Sequence, residues 1–217
     1  MFSPQGLYPR PVAGELGERE EYIFELFGAF VAKAMQDNRP LDLNLSRAFY
    51  GWMVGAQPSL LADVRDVDQD LHKALCKLQA AANEKAALDA DLSAGRVDEE
   101  AAAARRAAIT VDGCAVEDLC LDFTLPGYPD VSIGQGGPET PVTLDNVGEY
   151  VAAVVDFTLV RGVQEAMDRF FMGFNAVFNV DSLCLFTVDE VCSFVRSFVC
   201  VCVCLPVCLS VCLFVRV

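Results

Sequence analysis

The residues with the most chemical potential are the cysteines and the one histidine. The chain carries ten cysteines, and His72 is its sole histidine. His72 and Cys76 sit one helical turn apart in a helix-prone run, which puts both on one face. That spacing can share a metal ion, or let an imidazole take the proton of a thiol. No third partner lies nearby in sequence, so the pair reads as an exposed histidine above a buried cysteine. Cys200, Cys202 and Cys204 are separated by single valines. Zinc ligands are usually about two to four residues apart, in polar or glycine-rich surroundings. The metal reading is therefore set aside, and no cofactor is expected. Gly134, Gly136 and Gly137 have the look of a phosphate-binding loop. Pro138 and Pro141 follow where a helix should open, so the run reads as a turn. Asp66 with Asp68, and Asp89 with Asp91, stand in polar helical runs and read as solvated faces rather than acid/base pairs.

The charge balance narrows the partners. Among 217 residues, 16 Lys and Arg stand against 31 Asp and Glu, a formal net charge of −15. Counterion release from nucleic acid needs a basic surface, so nucleic acid is excluded as a partner. A hydrophobic content of 53% is enough to build a core. The opening residues lack a basic segment leading into an apolar one, so no secretory signal is expected. Outside a secretory context, Cys76, Cys114, Cys120 and Cys184 read as thiols rather than a disulfide framework. The expected location is cytoplasmic or nuclear.

The elements that must position these groups fall into four stretches. Residues 1–79 open with a proline-rich arm from Met1 to Pro11. A helix follows, in which Tyr22, Ile23, Leu26, Phe27, Phe30, Val31 and Ala34 recur at steps of three and four. Pro40 to Leu45 alternates as a short strand or extended link. Ser46 is placed to cap a helix through Phe49, Tyr50 and Met53. A third helix starts at Asp63 or Asp68 and runs through Leu71, Leu75 and Leu78. Residues 80–108 are dominated by alanine and read as a poorly anchored insertion, helical or disordered. Residues 109–192 are patterned again. Leu119, Leu121 and Phe123 alternate as one strand, and Pro126-Gly127 marks a turn. Thr143 or Asp145 can cap a long core helix from Tyr150 through Val163 to Phe174. Thr187 and Glu190 have the spacing of a capping box.

Residues 193–217 form a Cys/Val-rich apolar tail. From Phe198 to Val215 there are 18 residues without charge. A spanning helix needs about 20 apolar residues, and Pro206 interrupts this run. A TG dinucleotide repeat encodes alternating Cys and Val, as in Val199 to Cys204. A TGTC repeat encodes Cys-Leu-Ser-Val, as from Cys208 to Val211. The tail is therefore read as repeat-derived.

Five segments, in order, resemble a known family. They are GLYPRP at Gly6–Pro11, FGAFVAKAMQDNRPLDLNLSRAFY at Phe27–Tyr50, EDLCLDFTLPGYPD at Glu117–Asp130, VTLDNVGEYV at Val142–Val151, and GFNAVFNVDSLCLFTVDE at Gly173–Glu190. Together they resemble the N-lobe of the HECT domain of E3 ubiquitin ligases, with the likeness nearest to the TRIP12-, UFD4- and plant UPL3-like subgroup. The match covers roughly 6–79 and 115–192. It implies an α+β fold, mainly helical: a partial HECT N-lobe with short strands, carrying the Ala-rich helical insertion. Residues 1–79 and 109–192 are then two parts of that lobe.

The resemblance also implies a transferase. In the family, an E2 ubiquitin-conjugating enzyme docks on the N-lobe. Ubiquitin passes to a cysteine of a separate C-lobe as a thioester, and then to a substrate lysine. The family cysteine follows a Thr downstream of a Leu-Pro. Leu205-Pro206 precedes Cys208 and Cys212 here, but no Thr precedes either, so both are rejected. The catalytic residue is expected to be absent from this chain, along with the C-lobe and most of the E2-binding subdomain, and the chain alone is expected to be inactive. Asp37, Asn38, Leu41 and Asp42 are family motif positions with a structural role; Asp37 or Asn38 makes the turn after the first long helix. Val191 is the candidate for the E2 surface, because it begins the helix whose continuation helps to form that surface. The alternative is a non-catalytic adaptor or membrane-tethered binding protein that uses the apolar tail as its anchor.

Overall fold

The computed structural model describes residues 6–41, 43–134 and 139–196. Among these residues helices dominate, with one small sheet. The described residues divide into two compact units: those within 6–9, 15–57 and 164–196 make the first, and those within 10–14 and 58–163 the second. The repeat-like run from Phe198 onward lies outside the described residues.

The first unit is built on a helix crossing. Helix α1, Glu18–Gln36, starts with Glu18, Glu20 and Glu21 at its positive end. Its C-terminus closes in a Schellman motif. Asn38 takes a left-handed backbone (φ 53°), the Asn38 N–H donates to the Met35 carbonyl (3.1 Å) and the Arg39 N–H to the Ala34 carbonyl (2.8 Å). Of the two candidates for this turn, Asn38 carries the unusual conformation and Asp37 is the cap. Helix α7, Gln164–Asn175, packs across α1. The two backbones meet at glycines: a Cβ on Gly28 would sit 1.9 Å from the Phe170 carbonyl oxygen, and one on Gly173 would sit 1.8 Å from that of Glu25.

That close crossing decides which face of α1 is buried. The apolar wheel read from sequence splits. Val31 and Ala34 turn inward with Gly28, Ala32 and Met35. Tyr22 is 65% exposed and Phe30 54%, with Ile23 and Leu26 exposed beside them. Small residues, not the largest ones, mark the buried side, because they let α7 approach.

Helix α2, Arg47–Met53, is capped as expected: the Ser46 hydroxyl accepts the Phe49 N–H at 3.2 Å. The arm pairs with the link before it. The Leu7 N–H donates to the Asn44 carbonyl (2.6 Å) and the Ser46 N–H to that of Leu7 (2.9 Å). Among the described residues of Pro40 to Leu45, one isolated bridge forms, Leu7 to Leu45, and no strand is assigned. Gly6, at φ 97°, turns the arm where a Cβ would lie 2.7 Å from the Leu45 carbonyl carbon. Tyr8 accepts the Trp52 indole N–H at 2.9 Å.

The second unit begins with α3, Leu61–Val64, and α4, Gln69–Ser93. The Asp68 carboxylate caps α4 by accepting the Asp70 and Leu71 N–H groups, each at 2.9 Å. Helix α5, Glu99–Ala108, follows, capped by Asp98. The Ala-rich stretch is thus helical and anchored, since Leu88 and Ala102 are buried in the core of the unit. Alanine's short side chain lets α5 lie close without a wide apolar stripe, so the anchoring left little trace in the periodicity.

The expected strand from Leu119 to Phe123 is instead a 3₁₀ turn over Val116–Leu119, a left-handed Cys120 (φ 49°), and a late strand. Strand β1, Thr124–Leu125, pairs antiparallel with β2, Tyr128–Ser132. Pro126 and Gly127 (φ 83°) join them in the geometry of a type II turn. The long core helix is also broken. Helix α6, Val147–Asp156, runs into a π-helical turn over Phe157–Arg161, and a new helix begins at Gln164. Neither Thr143 nor Asp145 caps α6. Asn146 holds that end, its side-chain oxygen accepting the Thr143 N–H at 2.7 Å.

Asp145 instead ties the Ala-rich stretch to the start of α6. It meets Lys85 at 3.2 Å and Arg106 at 2.6 Å. Hydrogen bonds from Arg106 and then Lys85 hold its carboxyl below the ordinary value of 3.8. A depressed carboxyl contributes stability above its ordinary value and loses it as pH falls through the folded one. The Asp145→Asn variant should therefore lose less melting temperature than the parent on acidification below that range. The gap should shrink in high salt, because the pair is exposed and worth under about 1 kcal/mol. Superimposable melting curves for the two proteins would refute this.

Candidate functional site

The residues singled out in the sequence converge, in part, on helix α8, Val188–Arg196, in the first unit. The capping box at its start is formed. The Thr187 hydroxyl oxygen accepts the Glu190 N–H (3.3 Å), and the Glu190 carboxylate accepts the Thr187 N–H (2.8 Å) and hydroxyl (2.9 Å). Those bonds, the backbone one first, hold the Glu190 carboxyl below its usual range.

Two long-range links seat α8. The Leu41 N–H donates to the Val195 carbonyl at 2.9 Å. The Arg47 guanidinium makes a two-pronged contact with Asp189, one prong at 3.2 Å. It also holds the Asp189 carboxyl below its usual range. Two parallel N–H···O bonds fix direction as well as distance. The pair joins the first turn of α2 to the first turn of α8.

Val191 is 2% exposed, so its side chain belongs to the core of the first unit. Val195, one turn on, is buried too. The surface of α8 is carried instead by Asp189, Ser193 and Phe194. Leu41 is buried beside the link to α8, and Asp37 pairs with Lys33 at 2.9 Å on the far side of the turn. Asp42 lies outside the described residues.

The remaining candidates are dispersed. Asp68 is a helix cap, Asp89 pairs with Lys85 and Asp91 with Arg96. Asp66 donates its N–H to the Asp63 carbonyl. Gly134 is left-handed (φ 74°), while Gly136 and Gly137 lie outside the described residues. So do Cys200, Cys202, Cys204, Cys208 and Cys212. Among the described residues no group of three or more His, Cys, Asp or Glu could hold a metal ion. Cys76, Cys114, Cys120, Cys184 and Cys192 are free thiols. No helix among the described residues is long and apolar enough to cross a membrane.

Sequence reading passed over Arg47 and Asp189. They are 142 residues apart, and no local pattern links them. The only trace is an arginine at the first position of a helix whose other faces are apolar.

Comparison with known proteins converges on one family. The model of the HECT-domain (ubiquitin-transferase) family matches residues 2–197. The chain is 37% identical to E3 ubiquitin-protein ligase UPL4 of Arabidopsis thaliana over 195 residues, covering 88% of this chain and 12% of the relative. It is 37% identical to UPL3 of the same plant over 202 residues, 88% of this chain and 10% of the relative. Against E3 ubiquitin-protein ligase TRIP12 of Danio rerio it is 34% identical over 196 residues, again 88% of this chain and 10% of the relative. The chain thus spans about a tenth of the length of these relatives.

Proposed function

The chain belongs to the HECT-domain (ubiquitin-transferase) family, and on that premise we propose that it is the N-lobe core of an E3 ubiquitin ligase. Its task is to hold an E2 ubiquitin-conjugating enzyme near a cysteine carried elsewhere. The observation that supports this most is the seating of α8 by Leu41, Arg47 and the buried Val191. In this reading α8 is the root of the E2-binding segment. Val191 does not touch the E2; it anchors the helix whose continuation does.

The chemistry follows from that placement. Ubiquitin arrives as a thioester on the E2. A thiolate attacks the thioester carbonyl, the E2 thiol leaves, and a substrate lysine amine then takes the ubiquitin. The N-lobe raises the effective concentration of the two thiol centres and performs no bond-making itself. None of the cysteines of this chain is assigned as the nucleophile. The transfer takes place in the cytoplasm or nucleus.

The test uses two proteins: the 217-residue chain, and the longest product of the same gene. Each is incubated with ubiquitin, its activating enzyme and a set of E2 enzymes. The longer product should form a thiol-sensitive ubiquitin adduct, and the shorter chain should form none. An adduct on the shorter chain, lost when one of its own cysteines becomes serine, would overturn the assignment of the nucleophile. Failure of the longer product to take ubiquitin from any E2 would overturn the ligase reading.

A further inference from the structure

The sole histidine of the chain lies against a thiol. On α4, Cys76 Sγ is 3.4 Å from His72 Nε2 and 4.0 Å from Nδ1. Both residues are half-buried, so the exposed-over-buried arrangement expected from spacing is not the one found. A long, well-capped helix holds the pair, so the contact is set by its pitch rather than by a loop. The neighbouring cations on this helix are engaged elsewhere: Lys73 pairs with Asp70 at 2.9 Å, and Lys77 with Asp112 at 2.6 Å.

The thiolate, not the thiol, is the nucleophile of cysteine chemistry. An imidazole in contact can take the thiol proton and stabilise the sulfur anion as an ion pair. Cys114, Cys120 and Cys184 are more exposed than Cys76. None of them has this assistance, because the chain holds no second histidine. Among the described residues no third His, Cys, Asp or Glu joins the pair in a metal cluster, and the contact itself suits proton transfer.

We propose that Cys76 is a modification site that forms mixed disulfides with low-molecular-weight disulfides, with His72 as its base. His72 takes the Sγ proton. The sulfur attacks one sulfur of the disulfide, and the old S–S bond breaks as the new one forms. The departing thiolate takes the proton from His72. Cys76 is oxidised, the departing half of the reagent is reduced to its thiol, and no other reactant is required. The pair lies on α4 of the second unit, and the proposal stands apart from the ligase reading.

The test exposes the full chain to glutathione disulfide at neutral pH. Cleavage before aspartate releases residues 70–88, a peptide with Cys76 as its one cysteine. The glutathione adduct is followed by mass spectrometry. Cys76 should be modified about tenfold faster than Cys184 in the same sample, despite its lower exposure. His72→Gln should remove that advantage while leaving the Cys184 rate and the melting curve unchanged. A Cys76 rate at or below that of Cys184 overturns the proposal without any variant. So does an undiminished Cys76 rate in His72→Gln.

Discussion

Replacing Gly173 by alanine should unfold the first unit. In an ordinary helix interior the same change would be worth about 1 kcal/mol in the opposite direction, since alanine forms helix better than glycine. Here the new methyl would lie 1.8 Å from the Glu25 carbonyl oxygen, which belongs to the backbone of α1. No rotamer can relieve a contact with a Cβ. The helices must separate, and the apolar contacts between them go with the separation. The expected loss exceeds about 4 kcal/mol, a large part of a typical domain's stability. Trp52, the one tryptophan of the chain, is buried in this unit and reports on it directly. Its emission should shift to that of an exposed indole at temperatures where the parent is folded. Gly28→Ala should behave alike, and the double variant should cost less than the sum, because both strain one crossing. Native Trp52 emission and an unchanged urea midpoint in Gly173→Ala would show that α1 and α7 do not cross at these glycines.

Phe170→Ala should cost about 3–5 kcal/mol through the cavity that it leaves. Phe170 is fully buried. Its ring lies 5.0 Å from that of Phe49, 5.5 Å from Phe27 and 5.8 Å from Phe174, centroid to centroid. One side chain therefore joins α1, α2 and α7, and edge-to-face contacts such as that with Phe49 add to the area buried. The urea midpoint read from Trp52 should fall while the slope of the transition stays the same. Phe30→Ala is the control. It removes the same atoms from the exposed side of α1 and should change stability by less than about 0.5 kcal/mol. Equal effects of the two substitutions would mean that α1 is rotated about its axis from the position described.

The elements whose determinants are local were legible in the sequence. Ser46 caps α2, Thr187 and Glu190 close their box, and Pro126-Gly127 turns between strands, because each rests on residues within four positions of one another. The likeness to the HECT N-lobe held for the same reason, being carried by short ordered motifs. What escaped was set at a distance. Apolar periodicity runs unbroken from Tyr150 to Phe174, yet the chain makes a π turn at Phe157–Arg161 and restarts after Gly162. A Cβ on Gly162 would lie 2.7 Å from Pro11 of the arm, a contact no periodicity can encode. The exposed Tyr22, Ile23, Leu26 and Phe30 were misread because hydrophobicity ranks side chains by size, whereas the burial of α1 follows how near α7 can come. The pairing of Arg47 with Asp189 has no local signature at all.

The glycine crossing also sets an order of events during synthesis. Gly28 leaves the ribosome 145 residues before Gly173, which is roughly 7 to 30 s at ordinary elongation rates. Throughout that interval α1 has no α7 to pack on, and both of its apolar faces meet solvent. The second unit is fully translated by residue 163 and can fold while the first waits. The nascent chain thus carries an unsatisfied amphipathic helix through that interval, which makes α1 the segment a chaperone would hold until α7 emerges.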